Sequence, residues 1–135
     1  MATLNKFNSF VEALSEKVHN LGSDTLVVAL TDTAPVSSNT VLANITQISY
    51  TNLSTRTLTV SSSSQTSGTY KLVIADLTLT ASGAVGPFRY VVIYNDTATN
   101  DELIGWYDYG SSISLANTDT FLLDFDGTQG VLQLT

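Results

Sequence analysis

The chain has no cysteine, one histidine (His19), one tryptophan (Trp106) and two prolines among its 135 residues. Without thiols there is no disulfide, no thiolate metal cage and no cysteine nucleophile. The missing cysteines also fit a reducing compartment. Lys and Arg together number 5 against 12 Asp and Glu, which gives a net charge of −7. No cationic cluster is present to displace counterions from nucleic acid or to hold anionic lipid, so neither is an expected partner. The longest apolar run, Leu26-Val27-Val28-Ala29-Leu30, falls far short of the roughly 20 residues a membrane helix needs. The opening Met-Ala-Thr-Leu-Asn-Lys has no charged stretch followed by an apolar core, so no secretory signal is expected.

What the chain does have is hydroxyl. Ser and Thr make up 36 of the residues. Such β-branched, hydroxyl-rich sequence builds strands and polar surfaces rather than acid–base machinery. The length suits one domain, 1–135, large enough to bury roughly two-thirds of the unfolded surface in a single core. The expected work is to hold a shape and touch something.

Residues 4–21 carry the helical signal. Phe7, Phe10, Val11, Leu14, Val18 and Leu21 recur at spacings of three and four, which makes one apolar stripe. Gly22 is placed to end such a helix. Ser9 and Glu12 match a capping box, which allows a later start at Ser9. From residue 24 the period changes to two. In Leu26–Leu30 both alternating sets are apolar, so that strand is expected to be covered on both faces. Residues 40–50 suit a helical turn as well as a strand. Thr55–Val60 alternates, with Arg56, Leu58 and Val60 on one face. Ser61–Gly68 reads as a low-complexity turn, and strands follow at Tyr70–Ile74 and Leu77–Leu79. Ser82–Pro87 reads as a turn, Phe88–Tyr94 as the most β-prone run, and Asn95–Asp101 as a hairpin loop leading into Leu103–Tyr109. Gly110–Ser112 turns again before a short strand at Ile113–Leu115. Thr120–Phe125 and Val131–Thr135 are expected to close as a last hairpin. About eight short, regularly spaced strands after one amphipathic helix predict a mainly β fold, an antiparallel β-sandwich or barrel-like domain over 24–135.

Three constellations invite chemistry. Leu122-Leu123-Asp124-Phe125-Asp126-Gly127-Thr128 is similar to the nucleophile motif of haloacid-dehalogenase-type phosphatases. That fold continues with further parallel strands, a lysine and more acids, whereas here the residues after Thr128 include none of these. A strand end followed by an Asp-Gly turn is the better reading. As a calcium site, the pair falls short of the six or more oxygen ligands the ion takes, and Asn95–Glu102 lacks the glycine and glutamate of an EF-hand loop. No metal or other cofactor is expected. His19, beside Val18 and off the centre of the stripe, is read as a surface group or helix-terminal cation. The sequons at Asn44, Asn52 and Asn95 are chance products of an Asn/Ser/Thr-rich chain.

The segment Ile104-Gly105-Trp106-Tyr107-Asp108-Tyr109 is the candidate contact site, through Trp106, Tyr107 and Tyr109. On a regular strand Gly105, Tyr107 and Tyr109 share one face, and Ile104, Trp106 and Asp108 the other. Tyr and Trp are favoured at interfaces and as platforms for sugar rings. A core Trp with Tyr at its margin is the competing reading.

Several stretches carry a family resemblance: Phe10–Gly22 running into Leu26–Pro35, Gln65–Leu72, Gly86–Tyr90, Tyr94–Thr97 and Asp108–Ser112. Together they resemble small structural proteins encoded near the capsid genes of tailed bacteriophages, especially marine ones. The resemblance implies a virion component, made in the host cytoplasm and placed on the capsid exterior, with no catalytic residue to transfer. The expected function is therefore capsid decoration, or cementing. The expected partner is the lattice of the major capsid protein, met by a homotrimer. A tail-associated or carbohydrate-binding attachment module is the second expectation.

Overall fold

The computed structural model describes residues 2–135. It is mainly β, with antiparallel pairing throughout its sheets and one short helix near the N-terminus. The elements run β1 (Asn5–Lys6), α1 (Asn8–Ser15), β2 (Leu26–Thr31), a 3₁₀ turn (Leu42–Asn44), β3 (Val60–Thr66), β4 (Thr69–Ile74), β5 (Leu77–Thr80), β6 (Val85–Asn95), β7 (Leu103–Leu115), β8 (Thr120–Leu123) and β9 (Leu132–Leu134). They form a four-stranded sheet in the order β1-β7-β6-β2, a three-stranded sheet β3-β4-β9 and a two-stranded sheet β5-β8.

β2 is buried along its whole length, as its doubly apolar sequence predicts. Leu26, Val28 and Leu30 enter the main core with Phe10, Leu72, Ile74, Leu79, Phe88, Val91, Ile93 and Phe125. Val27 and Ala29 enter a second cluster on the opposite face, with Phe7, Ile45, Val92, Tyr94 and Leu103. The main core therefore draws side chains from all three sheets, and the second is covered by the chain around the 3₁₀ turn.

The helix is shorter than its stripe. Residues 5 and 6 pair instead with Trp106 and Gly105 of β7. Gly105 permits this, since a Cβ there would lie 2.8 Å from the Asn5 carbonyl oxygen. Backbone pairing on an existing sheet outweighs the modest helical preference of Leu4-Asn5-Lys6. Phe7 stands at the N-cap with no side-chain capping bond, so the box of Ser9 and Glu12 does not form. The helix ends at Ser15 with Glu16 as its C-cap, and Lys17 rather than Gly22 is the residue that terminates it. Lys17 adopts φ 69°, and the Val18 amide donates to the Ala13 carbonyl at 2.8 Å, the six-to-one bond of a Schellman cap. Val11, within the helix, and Val18, after its early stop, face solvent, while Phe10 and Leu21 stay buried and Leu14 is half-buried.

Other boundaries also move. Ser61–Gly68 is not a turn: β3 runs through Thr66, and only Ser67 and Gly68, with φ 51° and 84°, reverse the chain. Two positive φ values give the turn type that matches strand twist. Thr55–Thr59 follows β2 through single bonds, such as Val28 N–H to the Arg56 carbonyl, without becoming a strand. β7 continues through Gly110–Ser112 instead of turning there. The expected last hairpin does not exist, because β8 pairs with β5 and β9 with β4. Among the described residues the strands number nine, against an expectation of about eight.

Candidate functional site

β7 delivers the predicted aromatic residues, but not to one place. A register shift opposite Ile93 and Tyr94 inserts Ile104, so Ile104 faces the main core and no longer shares a face with Trp106. Trp106 packs on the second cluster with its ring 4.6 Å from that of Phe7, which makes it a structural residue. Tyr107 and Tyr109 lie on the other face and line a groove of about 370 Å³.

The opposite wall comes from β8 and the residues after it, Phe121 through Phe125. Phe121 connects core to surface. Its ring meets buried Phe88 edge-on at 5.3 Å and Tyr109 at 5.2 Å. Tyr107 lies 6.1 Å from Phe125. Tyr109 remains 54% exposed and Leu122 55%, so the groove presents uncovered apolar surface. Burial, with the nearby Asp126 charge, pushes the Tyr107 hydroxyl up to about 12, so it stays protonated in ordinary conditions.

Two carboxylates mark the groove. Asp108 takes a fork from Arg89, Nε to Oδ1 at 2.8 Å and Nη2 to Oδ2 at 3.0 Å, and accepts the Gly110 amide at 2.7 Å. These bonds hold its carboxyl below the usual range. Asp124 is exposed, and among the described residues nothing donates a hydrogen bond to its carboxylate. Among the described residues no Lys or Arg lines the groove, which Ala2 also borders.

The remaining candidates have structural jobs. Asp126 accepts the amides of Thr128 and Gln129, which lower its pKa and fold the turn before β9. Asp76 accepts the Phe125 amide at 2.9 Å. His19 corrects the surface reading, for it is buried, with its Nδ1 3.0 Å from Asn95 Nδ2 and its Nε2 without a partner. Asn95 Nδ2 also donates to Asp24, while Asn95 Oδ1 accepts the amides of Thr97 and Ala98. That burial leaves the Asn95 sequon inside the fold. Among the described residues no group of three or more His, Asp or Glu is placed to hold a metal ion. No helix among them is long and apolar enough to cross a membrane.

Sequence reasoning missed Phe121, Asp124 and Phe125 as partners of Tyr107 and Tyr109. Phe121, Leu123 and Phe125 do alternate, which marks a face. What brings that face opposite β7 is tertiary pairing, which has no local signature. Comparison with protein-family models, with curated proteins and with solved structures gives no match.

Proposed function

We propose that this protein is a non-catalytic virion component of a tailed phage, a decoration or cement protein that binds the outer face of the assembled capsid. The observation that carries the reading is the groove between β7 and β8, where Tyr109 and Leu122 lie more than half exposed beside buried aromatic rings. Exposed aromatic residues held on a rigid sheet are the usual energetic anchors of protein contacts. Asp126 and Asp76 are committed to main-chain amides and Asp108 to Arg89, which leaves Asp124 without a second free carboxylate beside it for acid–base work. In the same reading the four-stranded sheet faces the two smaller sheets across the main core as a β-sandwich. The protein assembles as a trimer, whose avidity strengthens attachment to a repeating lattice.

Co-sedimentation with undecorated capsids tests this. Saturable binding at hundreds of copies per particle is expected, with weak binding to isolated capsid subunits. Tyr109→Ala should reduce occupancy. A handful of copies located at the tail would favour the attachment module instead. The second reading has one specific support, that Asp124 and two tyrosines share a groove, as aromatic and carboxylate groups do in sugar sites.

A further inference from the structure

The edge of β7 beside the groove is open. Among the described residues β1 pairs with β7 at Gly105 and Trp106, and residues 2–4 leave the ladder, although the register would set Leu4 opposite Tyr107 and Thr3 opposite Asp108, and Ala2 ends at the rim of the groove. The Ile104 carbonyl accepts from the Phe7 amide, so Ile104, Trp106 and Asp108 turn their main-chain groups toward this edge. Asp108 therefore offers an N–H and a C=O that no strand among the described residues meets. Across the groove, the Asp119 carbonyl accepts the Ala81 amide, so Phe121 and Leu123 bond toward β5 while Leu122 turns its main chain away. The two open edges flank the aromatic floor of Tyr107, Tyr109, Phe121 and Phe125. The exposed carboxylate of Asp124 stands on the wall, and among the described residues no Lys or Arg lines the groove.

We propose that this groove takes an extended peptide segment of a partner protein, added as a strand to the β7 edge at Asp108, with an apolar side chain on the Tyr109–Phe121 pair and a Lys or Arg at Asp124. The inference deepens the preceding reading by naming the chemistry of the partner in the same groove. Main-chain bonds to an open edge give affinity, and alternating side chains give selectivity. A strand matches the spacing of the edge's main-chain groups and covers the floor as well, whereas a sugar's hydroxyls carry no such repeat. A second copy of this acidic chain would bring like charge to Asp124, so the occupant is a basic segment of a different protein.

The probe is the peptide acetyl-Thr-Thr-Val-Lys-Val-Thr-amide, titrated into the ¹⁵N-labelled protein. Saturable shifts are expected at the amides of Asp108, Leu122 and their neighbours, with slowed exchange at Asp108. Replacing the peptide Lys by Glu should weaken binding by at least fivefold, and a central proline should abolish it. Asp124→Asn in the protein should remove the preference for Lys over Glu, and Tyr109→Ala should weaken both peptides about tenfold. Both side chains are exposed, so neither variant threatens the fold. Equal binding of Lys and Glu peptides, shifts confined to other surfaces, or no saturable shift would overturn the proposal. Capsid binding that survives Tyr109→Ala and Asp124→Lys would overturn it while leaving the virion reading intact. Peptide binding without capsid binding would support the groove and defeat the virion reading.

Discussion

His19 and Asn95 form a buried polar contact whose partners leave it little freedom. Asn95 Nδ2 donates to His19 Nδ1 and to Asp24, while its Oδ1 is committed to Thr97 and Ala98. Protonating His19 at Nδ1 would set two donors face to face, and turning the amide over would forfeit the two loop bonds. Burial lowers the His19 pKa, opposed by the charges of Glu102 and Asp24. The histidine is therefore neutral in the native state and carries its proton on Nε2. A folded value below the unfolded value of about 6.5 means stability is complete above that pH and lost as pH falls through the folded value. Urea denaturation at pH 7.5 and pH 5.5 should show the lower midpoint at pH 5.5. His19→Gln should cost about 1 kcal/mol at pH 7.5 and flatten that difference. None of this was legible in the sequence, where His19 is one position from an exposed valine. Its burial follows from the early helix stop and the left-handed turn at Lys17, a conformation no local pattern announces.

The acids near the end of the chain show the opposite case, in which sequence reading succeeds. An Asp-Gly pair after a short strand predicted a turn, and Asp126 holds that turn by accepting two amides. Asparagine keeps the acceptor oxygen, so Asp126→Asn should leave the melting temperature nearly unchanged, within the ±0.5 kcal/mol or so expected of surface substitutions. No turnover of generic phosphoesters is expected with or without Mg²⁺. Robust hydrolysis abolished by Asp124→Asn would defeat the non-catalytic reading.

At the scale of elements, periodicity located most strands but misjudged where polar segments go. β2, β4, β5 and the centre of β6 match their alternating apolar patterns. β3 does not announce itself, because Ser61 to Gln65 has no apolar face. It is an edge strand held by main-chain pairing to β4 and by a 2.7 Å contact between the Ser63 and Tyr70 hydroxyls. The helix shows how an interrupted stripe divides its energy. Phe10 is 3% exposed and Val11 47%. Phe10→Ala should therefore cost about 3–5 kcal/mol through lost burial and a cavity, and Val11→Ala less than about 0.5 kcal/mol. Leu14→Asp, at a half-buried site, should fall between them. Equal effects of Phe10→Ala and Val11→Ala in chemical denaturation would show that α1 packs otherwise.

For the whole molecule, a mainly β fold was legible because hydrophobic period is local. The pairing of sheets was not, because adjacent segments invite hairpins and this chain declines the last one. After β8 the backbone turns at Asp126 and crosses to β4, where the Val131 amide donates to the Leu72 carbonyl at 2.7 Å. Gly130 makes the crossing possible. It sits at φ 80°, and a Cβ there would meet the Leu72 carbonyl oxygen at 2.7 Å. That oxygen belongs to the β4 main chain and cannot swing aside. Gly130→Ala should therefore add a steric clash to the left-handed backbone cost, about 2–3 kcal/mol together. Gly68 supplies the control, with φ 84° and nothing within 4 Å of the added atom. Gly68→Ala should cost only the conformational part, about 1 kcal/mol. Hydrogen exchange distinguishes the mechanism from general weakening. In Gly130→Ala the amides of Tyr70, Leu72, Val131 and Leu134 should lose protection first, while Val28 and Val92 in the four-stranded sheet keep theirs. Uniform loss across both sheets would mean that β9 is not a separable strap and that the main core opens as one unit.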